Sequence, residues 1–101
     1  MGFDVVLYNK EGSEMGFYEL SESLHNEIFN SKNLWRSYLE LRRLSDFYLT
    51  NENFSGERLS NLITDLNNYK VFVSLDKLNE FEEFIKNVSS SDIDRVHIAG
   101  D

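Results

Sequence analysis

The sequence has no cysteine and no proline, and it is poor in glycine and in positive charge. Without cysteine the chain cannot form disulfides, bind a metal through thiolates or use a cysteine nucleophile. Without proline, we expect neither long loops nor polyproline linkers. The five glycines stand at positions 2, 12, 16, 56 and 100, and their spacing matches neither a dinucleotide-binding motif nor a P-loop.

Long apolar runs are missing as well. No run approaches the ~18 residues that cross a bilayer, and no basic segment followed by an apolar one opens the chain. The motifs of zinc peptidases, EF-hands and nucleophile elbows are also absent. The sequence therefore predicts a cytoplasmic protein outside the membrane that is not an enzyme and needs no cofactor.

The chain does contain enough apolar material for one domain. Its 101 residues are 41% hydrophobic and include eight Phe, five Tyr and one Trp. Disordered chains lack this many aromatic residues, and the length is close to the commonest domain size. We therefore expect residues 1–101 to fold as a single domain.

Negative charge dominates the composition. Eighteen acidic residues oppose ten basic ones, for a net charge of −8. Such a field repels nucleic acids and anionic membranes. The nearest approach to a basic patch, Arg36, Arg42 and Arg43, is interleaved with Glu40 and Asp46. The charge disfavours direct nucleic-acid and membrane binding, and it favours a basic protein partner because complementary fields speed encounter.

The widest apolar stripe predicts a central helix from Leu34 to Leu49. Arg36 and Glu40 would form an i,i+4 ion pair on it. The stripe consists of apolar residues at helical spacing, with others beside them: Leu34, Tyr38, Leu41, Leu44 and Tyr48, then Trp35, Leu39 and Phe47. We expect the other elements to pack around this helix, and Trp35 and Tyr38 to lie in the core.

Two strands and a helix are predicted before that central helix. Residues Phe3–Tyr8 alternate in polarity as a strand does, and Met15–Tyr18 alternate likewise after a polar turn, which indicates a hairpin. Ser21 is a candidate N-cap for a helix that ends near Asn30.

Four further elements and one loop are predicted after it. Thr50–Gly56 is interpreted as a loop with Phe54 as a buried anchor. Helical spacing then gives one helix with Leu59, Leu62, Ile63, Leu66 and Tyr69 inward, and a later one, capped by Ser74 or Asp76, with Leu78, Phe81, Ile85 and Val88 inward. Short apolar runs at Val71–Val73 and Ile93–Ala99 are predicted strands. The order β-β-α-α-α-β-α-β predicts an α+β domain, a small sheet packed by helices, with a right-handed βαβ unit at its end.

The first histidine does not belong to a catalytic pattern. Ser23, His25 and Glu27 stand two residues apart, so on a helix their side chains diverge. His25 lies beside the apolar stripe of its predicted helix, and we interpret it as a boundary residue.

The second histidine does not complete a metal site. Along a strand Asp92 and Asp94 lie on one side, whereas His97 faces the other. A zinc site needs three or four nitrogen or sulfur ligands, which two histidines cannot supply. We interpret the two acids as loop residues and His97 as facing solvent.

Acidic residues near the end of the chain form the candidate binding surface. Asp76, Glu80 and Glu83 follow i, i+4, i+7 spacing and so line one face of the last predicted helix. They either solvate the protein or dock Lys and Arg side chains of a basic partner. The candidate partner-binding residues are Asp76, Glu80, Glu82, Glu83, Asp92 and Asp94.

Three segments, MGFDVVLYN, LSESLHNEIFNSKNLW and DKLNEFEEFIKN, carry a resemblance in general character over the whole chain. The sequence resembles the small immunity proteins of bacterial toxin–immunity systems, including those of contact-dependent growth inhibition. The resemblance implies inhibition by tight binding, in which the protein covers the active site or substrate groove of a cognate toxin, frequently a nuclease. An acid-rich surface would then mimic nucleic-acid phosphates and speed association.

The leading functional prediction is therefore an inhibitor of a basic toxin, a monomer or weak homodimer that forms a one-to-one complex. A regulatory or adaptor domain, which a phage could encode, is the first alternative. A small enzyme that uses His25 or His97 with carboxylates is the second. Replacing each histidine by Ala separates this last alternative from the others, because a broad binding surface should tolerate both changes.

Overall fold

The computed structural model describes residues 2–29, 34–45 and 49–100, in which four strands form one sheet beside three α-helices. The strands are β1 (Gly2–Tyr8), β2 (Glu14–Ser21), β3 (Asn51–Ser55) and β4 (Arg95–Ala99). The helices are α1 (Glu22–Phe29), α2 (Gly56–Tyr69) and α3 (Leu75–Val88). The predicted α+β class with a small sheet is confirmed. No helix in these ranges is long and apolar enough to cross a membrane.

The sheet is antiparallel throughout, in the order β2-β1-β4-β3. The predicted hairpin joins β1 to β2, and its turn is closed by the Asn9 side chain, which accepts from the backbone N–H groups of Glu11 and Ser13. Gly12 adopts φ +82° in that turn, which a residue without Cβ tolerates best. The two central strands are β1 and β4, so β2 and β3 form the edges.

One face of the sheet carries the core. Strand β1 turns Phe3, Val5 and Leu7 towards the helices, and all three are buried. They are joined by apolar side chains from the other strands and from the helices: Leu20, Phe54, Val96, Ile98, Leu24, Ile28, Leu62, Leu66, Phe81 and Phe84. The alternation in β1 and β4 and the helical spacing of α2 and α3 therefore identify most of the core-facing side chains. They miss Phe84 of α3, which is buried, and the apolar residues Met15 and Phe17 of the predicted second strand are exposed.

The opposite face of the sheet is open. Phe17 lies on it with 60% of its surface exposed, next to Val6 across the β1–β2 pair. The Arg95 guanidinium lies 3.9 Å from the centroid of the Tyr8 ring, a cation–π contact. His97 shares this face, between the buried Val96 and Ile98, in agreement with its predicted solvent-facing position.

The prediction of a central helix from Leu34 to Leu49 is wrong. Two short 3₁₀ turns, Leu34–Ser37 and Leu41–Leu44, occupy the described part of this stretch. Asp65 of α2 accepts hydrogen bonds from the backbone N–H groups of Glu40 and Leu41, which diverts the chain between the two turns. The predicted stripe residues Phe47 and Tyr48, with Asp46, lie outside the described residues.

Within this segment the side chains also differ from the helical expectation. Glu40 pairs with Arg43 at 3.1 Å and with Arg58 at 3.5 Å, instead of with Arg36. Trp35 and Tyr38, which were predicted to lie in the core, are partly buried and pack against it.

Two further secondary-structure predictions are wrong, one of a loop and one of a strand. The stretch predicted as a loop, Thr50–Gly56, contains strand β3, although Phe54 is its fully buried anchor as expected. The stretch predicted as a buried strand, Val71–Val73, instead lies in and after a 3₁₀ turn at Lys70–Phe72, and Val71 is 78% exposed. The predicted βαβ unit is therefore wrong, and α2 leads directly through this turn into α3.

Candidate functional site

The six acidic residues singled out from the sequence do not form one continuous patch. Helix α3 carries the first four, and the loop that follows it carries Asp92 and Asp94. Asp76 stands in the first turn of α3 and accepts a hydrogen bond from the Ser74 hydroxyl at 2.7 Å, which lowers the pKa of its carboxyl. Its charge is exposed and serves the helix start, where acidic residues are stabilising.

Glu80 has an internal role. Its carboxylate accepts hydrogen bonds from the Ser21 backbone N–H at 2.9 Å and from the Ser21 hydroxyl at 2.7 Å. The Ser21 oxygen in turn accepts from the Leu24 N–H at 3.1 Å, which confirms Ser21 as the N-cap of α1. Glu80 therefore links α3 to the junction between β2 and α1. Its carboxylate is already engaged in hydrogen bonds within the protein.

The remaining two acids of α3 lie on different sides of the helix. Glu82 is 3.7 Å from the Lys70 ammonium group, near the turn that joins α2 to α3. Glu83 faces β2 instead, where its negative charge, after burial as the larger cause, raises the pKa of the Tyr18 phenol. Of these two acids, Glu83 is the one that lies beside β2, and it has no ion-pair partner within the described residues.

The loop acids lie near the β1–β2 turn. The Asp94 backbone N–H donates to the Tyr8 carbonyl at 2.8 Å, which places this loop at the end of β1. Asp92 lines an open groove of about 360 Å³ together with Asn9, Lys10, Glu11, Met15 and Ser91. Because Lys10 lies in the same groove, this end of the molecule is less purely acidic than the sequence suggests.

The edge strand β2 exposes unpaired backbone. The Ser21 N–H points away from β1, since it donates to Glu80. Backbone groups alternate in direction along an antiparallel strand, so Phe17 and Glu19 direct their N–H and C=O groups to the same outer side. Neither residue has a hydrogen-bond partner on that side within the described residues. The middle of β2 is therefore a free sheet edge.

Four carboxylates flank this free edge. Glu14 and Glu19 belong to β2, Glu22 begins α1 and Glu83 lies on α3. All four are exposed, and none of them forms an ion pair within the described residues. We call Glu14, Glu19, Glu22 and Glu83, together with the outward backbone of Phe17 and Glu19, the acidic edge.

Of these carboxylates, Glu83 alone is among the partner-binding residues predicted from the sequence. Glu14, Glu19 and Glu22 were missed because strand order, which decides whether a strand is an edge, has no local signature. The one available signal was the recurrence of glutamate through the EMGFYELSE stretch.

The cations around the opposite edge are paired. Arg58 lies 2.9 Å from Glu52 of β3, and Arg43 lies 3.1 Å from Glu40 and 3.8 Å from Glu52. Arg95 of β4 donates to the Asn53 side chain at 2.8 Å. These three arginines therefore have partners around β3, and they do not neutralise the carboxylates of the acidic edge.

The two histidines lie in different surroundings. His25 is buried, more deeply than the predicted boundary position, with its Nε2 3.1 Å from the Leu44 carbonyl oxygen. Its ring packs against the rings of Phe3 and Phe29, with centroid-to-centroid distances of 4.6 and 4.7 Å. The cavity beside it is about 10 Å³, room for about one water molecule. His97 lies on the open face of the sheet, 2.6 Å from the Asn51 side-chain oxygen.

Comparisons with protein-family models, with curated proteins and with solved structures found no significant match to this chain.

Proposed function

We propose that the protein is a cytosolic inhibitor that binds and neutralises a basic toxin, a nuclease being the expected kind, as immunity proteins do. The observation that carries the proposal is the acidic edge, where four exposed carboxylates have no cationic partner within the described residues. Cations elsewhere, Arg43 and Arg58, are held by internal acids. A surface so charged attracts a partner of opposite charge and repels nucleic acid itself.

Inhibition follows from occupation of the toxin's own binding surface. A nuclease concentrates Lys and Arg where phosphates bind. The carboxylates of the acidic edge present negative charge to such a surface, so the bound inhibitor would cover the substrate groove. The association should be fast and should weaken as salt screens the charges.

A binding role also accords with the surroundings of His25. A general acid or base must reach its substrate within hydrogen-bond distance. His25 is buried beside a cavity of about 10 Å³, which admits no substrate larger than water. This observation favours the inhibitor over an enzyme that uses this histidine.

Affinity capture from the native cells tests the proposal. The chain serves as bait at low salt, and bound proteins are eluted by stepwise increases in salt. We expect a basic protein whose toxic activity, measured alone, disappears when one equivalent of the chain is added. A partner without toxic activity would support the adaptor alternative, and the absence of any basic partner would reject the proposal.

Two bait variants make the result specific to the acidic edge. Glu83→Lys reverses an unpaired charge beside β2, whereas Glu57→Lys reverses an exposed charge in the first turn of α2. Both change the net charge equally. The basic partner should elute at lower salt from the Glu83→Lys bait than from the Glu57→Lys bait, which should behave like the unchanged chain.

A further inference from the structure

We propose that the partner binds by adding an extended, basic segment to the free edge of β2. The inference rests on the proposed function, since it names the surface and the form in which the basic partner is recognised. Three observations support it: the outward backbone of Phe17 and Glu19, the carboxylates on both sides of the edge, and the devices that close the edge at its two ends.

The backbone supplies the attraction that does not depend on side chains. Phe17 and Glu19 offer their N–H and C=O groups outward, without partners within the described residues. An extended segment laid alongside β2 can satisfy all of these groups at once, as strand addition does in peptide recognition. Free N–H and C=O groups at an edge are a template for such pairing.

The ends of the edge limit where the segment can lie. At one end Glu80 occupies the Ser21 N–H. At the other end the β1–β2 register shifts between Leu7 and Tyr8, which leaves Met15 as a bulge opposite β1. Pairing is therefore confined to the stretch between Met15 and Ser21, which suits a short segment better than a long strand.

Side chains on both faces select a basic segment. On the open face of the sheet lie Phe17 and Glu19, opposite Val6 and Asp4 of β1. On the helix-covered face lies Glu83 near Tyr18. Side chains of an added strand alternate between these two faces. Lys or Arg on either face therefore meets a carboxylate, and an apolar residue on the open face meets the exposed Phe17 ring.

A second copy of this chain is a poor occupant of the edge. Antiparallel pairing of β2 with β2 of a second copy, centred on Tyr18, would place Glu14 of each copy near Glu22 of the other and Glu19 opposite Phe17, so acidic side chains of the two copies would approach one another. Like charges placed opposite one another in a sheet are destabilising. The acidic side chains thus discourage self-association while they admit a strand of opposite charge.

A synthetic probe tests the edge without knowledge of the natural partner. The probe is a short capped peptide of alternating Lys and Thr, and the control is the same peptide with Glu in place of Lys. We expect the Lys peptide to slow amide hydrogen exchange of Phe17 and Glu19 in the full chain, and the Glu peptide to leave it unchanged. Absence of binding by the Lys peptide, or binding that leaves these two amides unprotected, would overturn the inference.

A pair of variants separates backbone pairing from charge attraction. Glu19→Gln and Glu19→Pro both remove the charge, but only proline also removes the outward N–H. That N–H has no partner within the described residues, so its loss breaks no described hydrogen bond of the fold. Strand addition predicts that Glu19→Pro binds the Lys peptide about five- to tenfold more weakly than Glu19→Gln, the loss expected for one hydrogen bond. Equal affinities would refute pairing through the backbone. If Glu19→Pro does not fold, the exchange measurement on the unchanged chain decides alone.

The failure of this inference differs from the failure of the proposed function. A basic toxin captured with equal affinity by Glu19→Pro and Glu19→Gln would leave the inhibitor function intact and remove the edge from it. Protection of Phe17 and Glu19 by the Lys peptide, without any toxic partner in cells, would retain the edge as a binding site and reject the toxin.

Discussion

The two edge strands of the sheet, β2 and β3, are both antiparallel to their neighbours, but they differ in length and in the pairing of their charged side chains. Strand β3 is five residues long, and its Glu52 and Asn53 are held by Arg58 and Arg95. Strand β2 is eight residues long, and its glutamates have no cationic partner within the described residues. Natural sheets protect their edges by shortness, charge and bulges. Here one edge is protected by shortness and paired charge, and the other by negative charge that a basic segment can neutralise.

The largest difference expected between the edges concerns stability. Phe54 of β3 is fully buried, whereas Phe17 of β2 is 60% exposed. Phe54→Ala should lower the free energy of unfolding by about 3–5 kcal/mol, because it leaves a cavity in the core. Phe17→Ala should change it by less than about 0.5 kcal/mol, as surface substitutions do. Denaturant unfolding measures both, and similar losses would mean that β2 also carries core packing.

A smaller loss of unfolding free energy is expected when the hydrogen bonds between Glu80 of α3 and Ser21 of β2 are removed. Glu80→Ala removes the acceptor of two hydrogen bonds from Ser21, and it should cost about 1–2 kcal/mol of unfolding free energy. Glu83→Ala is the matched control on the same helix, since Glu83 has no ion-pair or hydrogen-bond partner within the described residues. Thermal unfolding of the two variants should rank Glu80→Ala clearly below Glu83→Ala. Equal midpoints would show that Glu80 is free for a partner.

Alkaline pH probes the helix-covered side of β2. Burial raises the pKa of the Tyr18 phenol, and Glu83 adds to this effect. Burial also raises the pKa of Tyr69. The unfolded chain ionises its tyrosines near about pH 10, so the stability from the neutral phenols is complete below that pH and is lost as pH rises above it.

Replacing Tyr18 by Phe isolates its share of this pH dependence. The variant should lose stability less steeply above pH ~10, by at most about 1.4 kcal/mol per pH unit. No hydrogen bond of good geometry reaches the Tyr18 hydroxyl within the described residues, although the Asn87 amide partly offsets the rise of its pKa. Its removal should therefore cost little at neutral pH. Unfolding curves at neutral and alkaline pH test both statements. An equal loss of stability with pH in the two proteins would contradict the first, and a large loss at neutral pH would contradict the second.

The smallest effect concerns association rates. Glu19→Lys reverses a charge on the acidic edge, and Glu57→Lys does so beside β3. At low salt the first should slow association with the Lys–Thr peptide about three- to tenfold, and the second less than about twofold, because local charge steers encounter. Stopped-flow measurements at low and high salt compare them. Equal slowing by the two variants would assign the effect to net charge and not to the edge.

Helices α2 and α3 could be predicted from the sequence because their apolar spacing is regular and their packing faces are simple. Of the residues predicted to face inward, Leu62, Leu66, Phe81, Ile85 and Val88 all lie in the core. In each case the local pattern and the tertiary fold require the same structure. Ser21 likewise caps α1 through its own short side chain, which is a local interaction.

The stretch 34–49 could not be predicted in this way because a tertiary contact decides its course. Its apolar spacing fits a helix, but the i,i+3 pairs Trp35–Tyr38 and Leu41–Leu44 fit two 3₁₀ turns equally well. The Asp65 carboxylate, distant in sequence, binds the N–H groups of Glu40 and Leu41 and selects the second arrangement.

The wrong predictions of a loop at Thr50–Gly56 and of a strand at Val71–Val73 have a related cause. Asn51–Ser55 is polar and yet forms β3, because β4 offers it an edge to pair with. Val71 is apolar and yet exposed, because it lies in the 3₁₀ turn Lys70–Phe72 that joins α2 to α3 and not in a strand of the sheet. The acidic edge was missed for the same reason, since the order β2-β1-β4-β3 is set by pairing partners and not by composition.

That strand order also governs when the domain can assemble. The central pair, β1 and β4, joins residues 2–8 to residues 95–99, nearly the full span of the chain. A contact between segments so distant in sequence raises contact order and slows folding. During synthesis β1 and β2 can pair early, but the other side of β1 stays unpaired until β4 has been made. We therefore expect a nascent chain to acquire its sheet, and with it a rigid acidic edge, only after β4 has been synthesised.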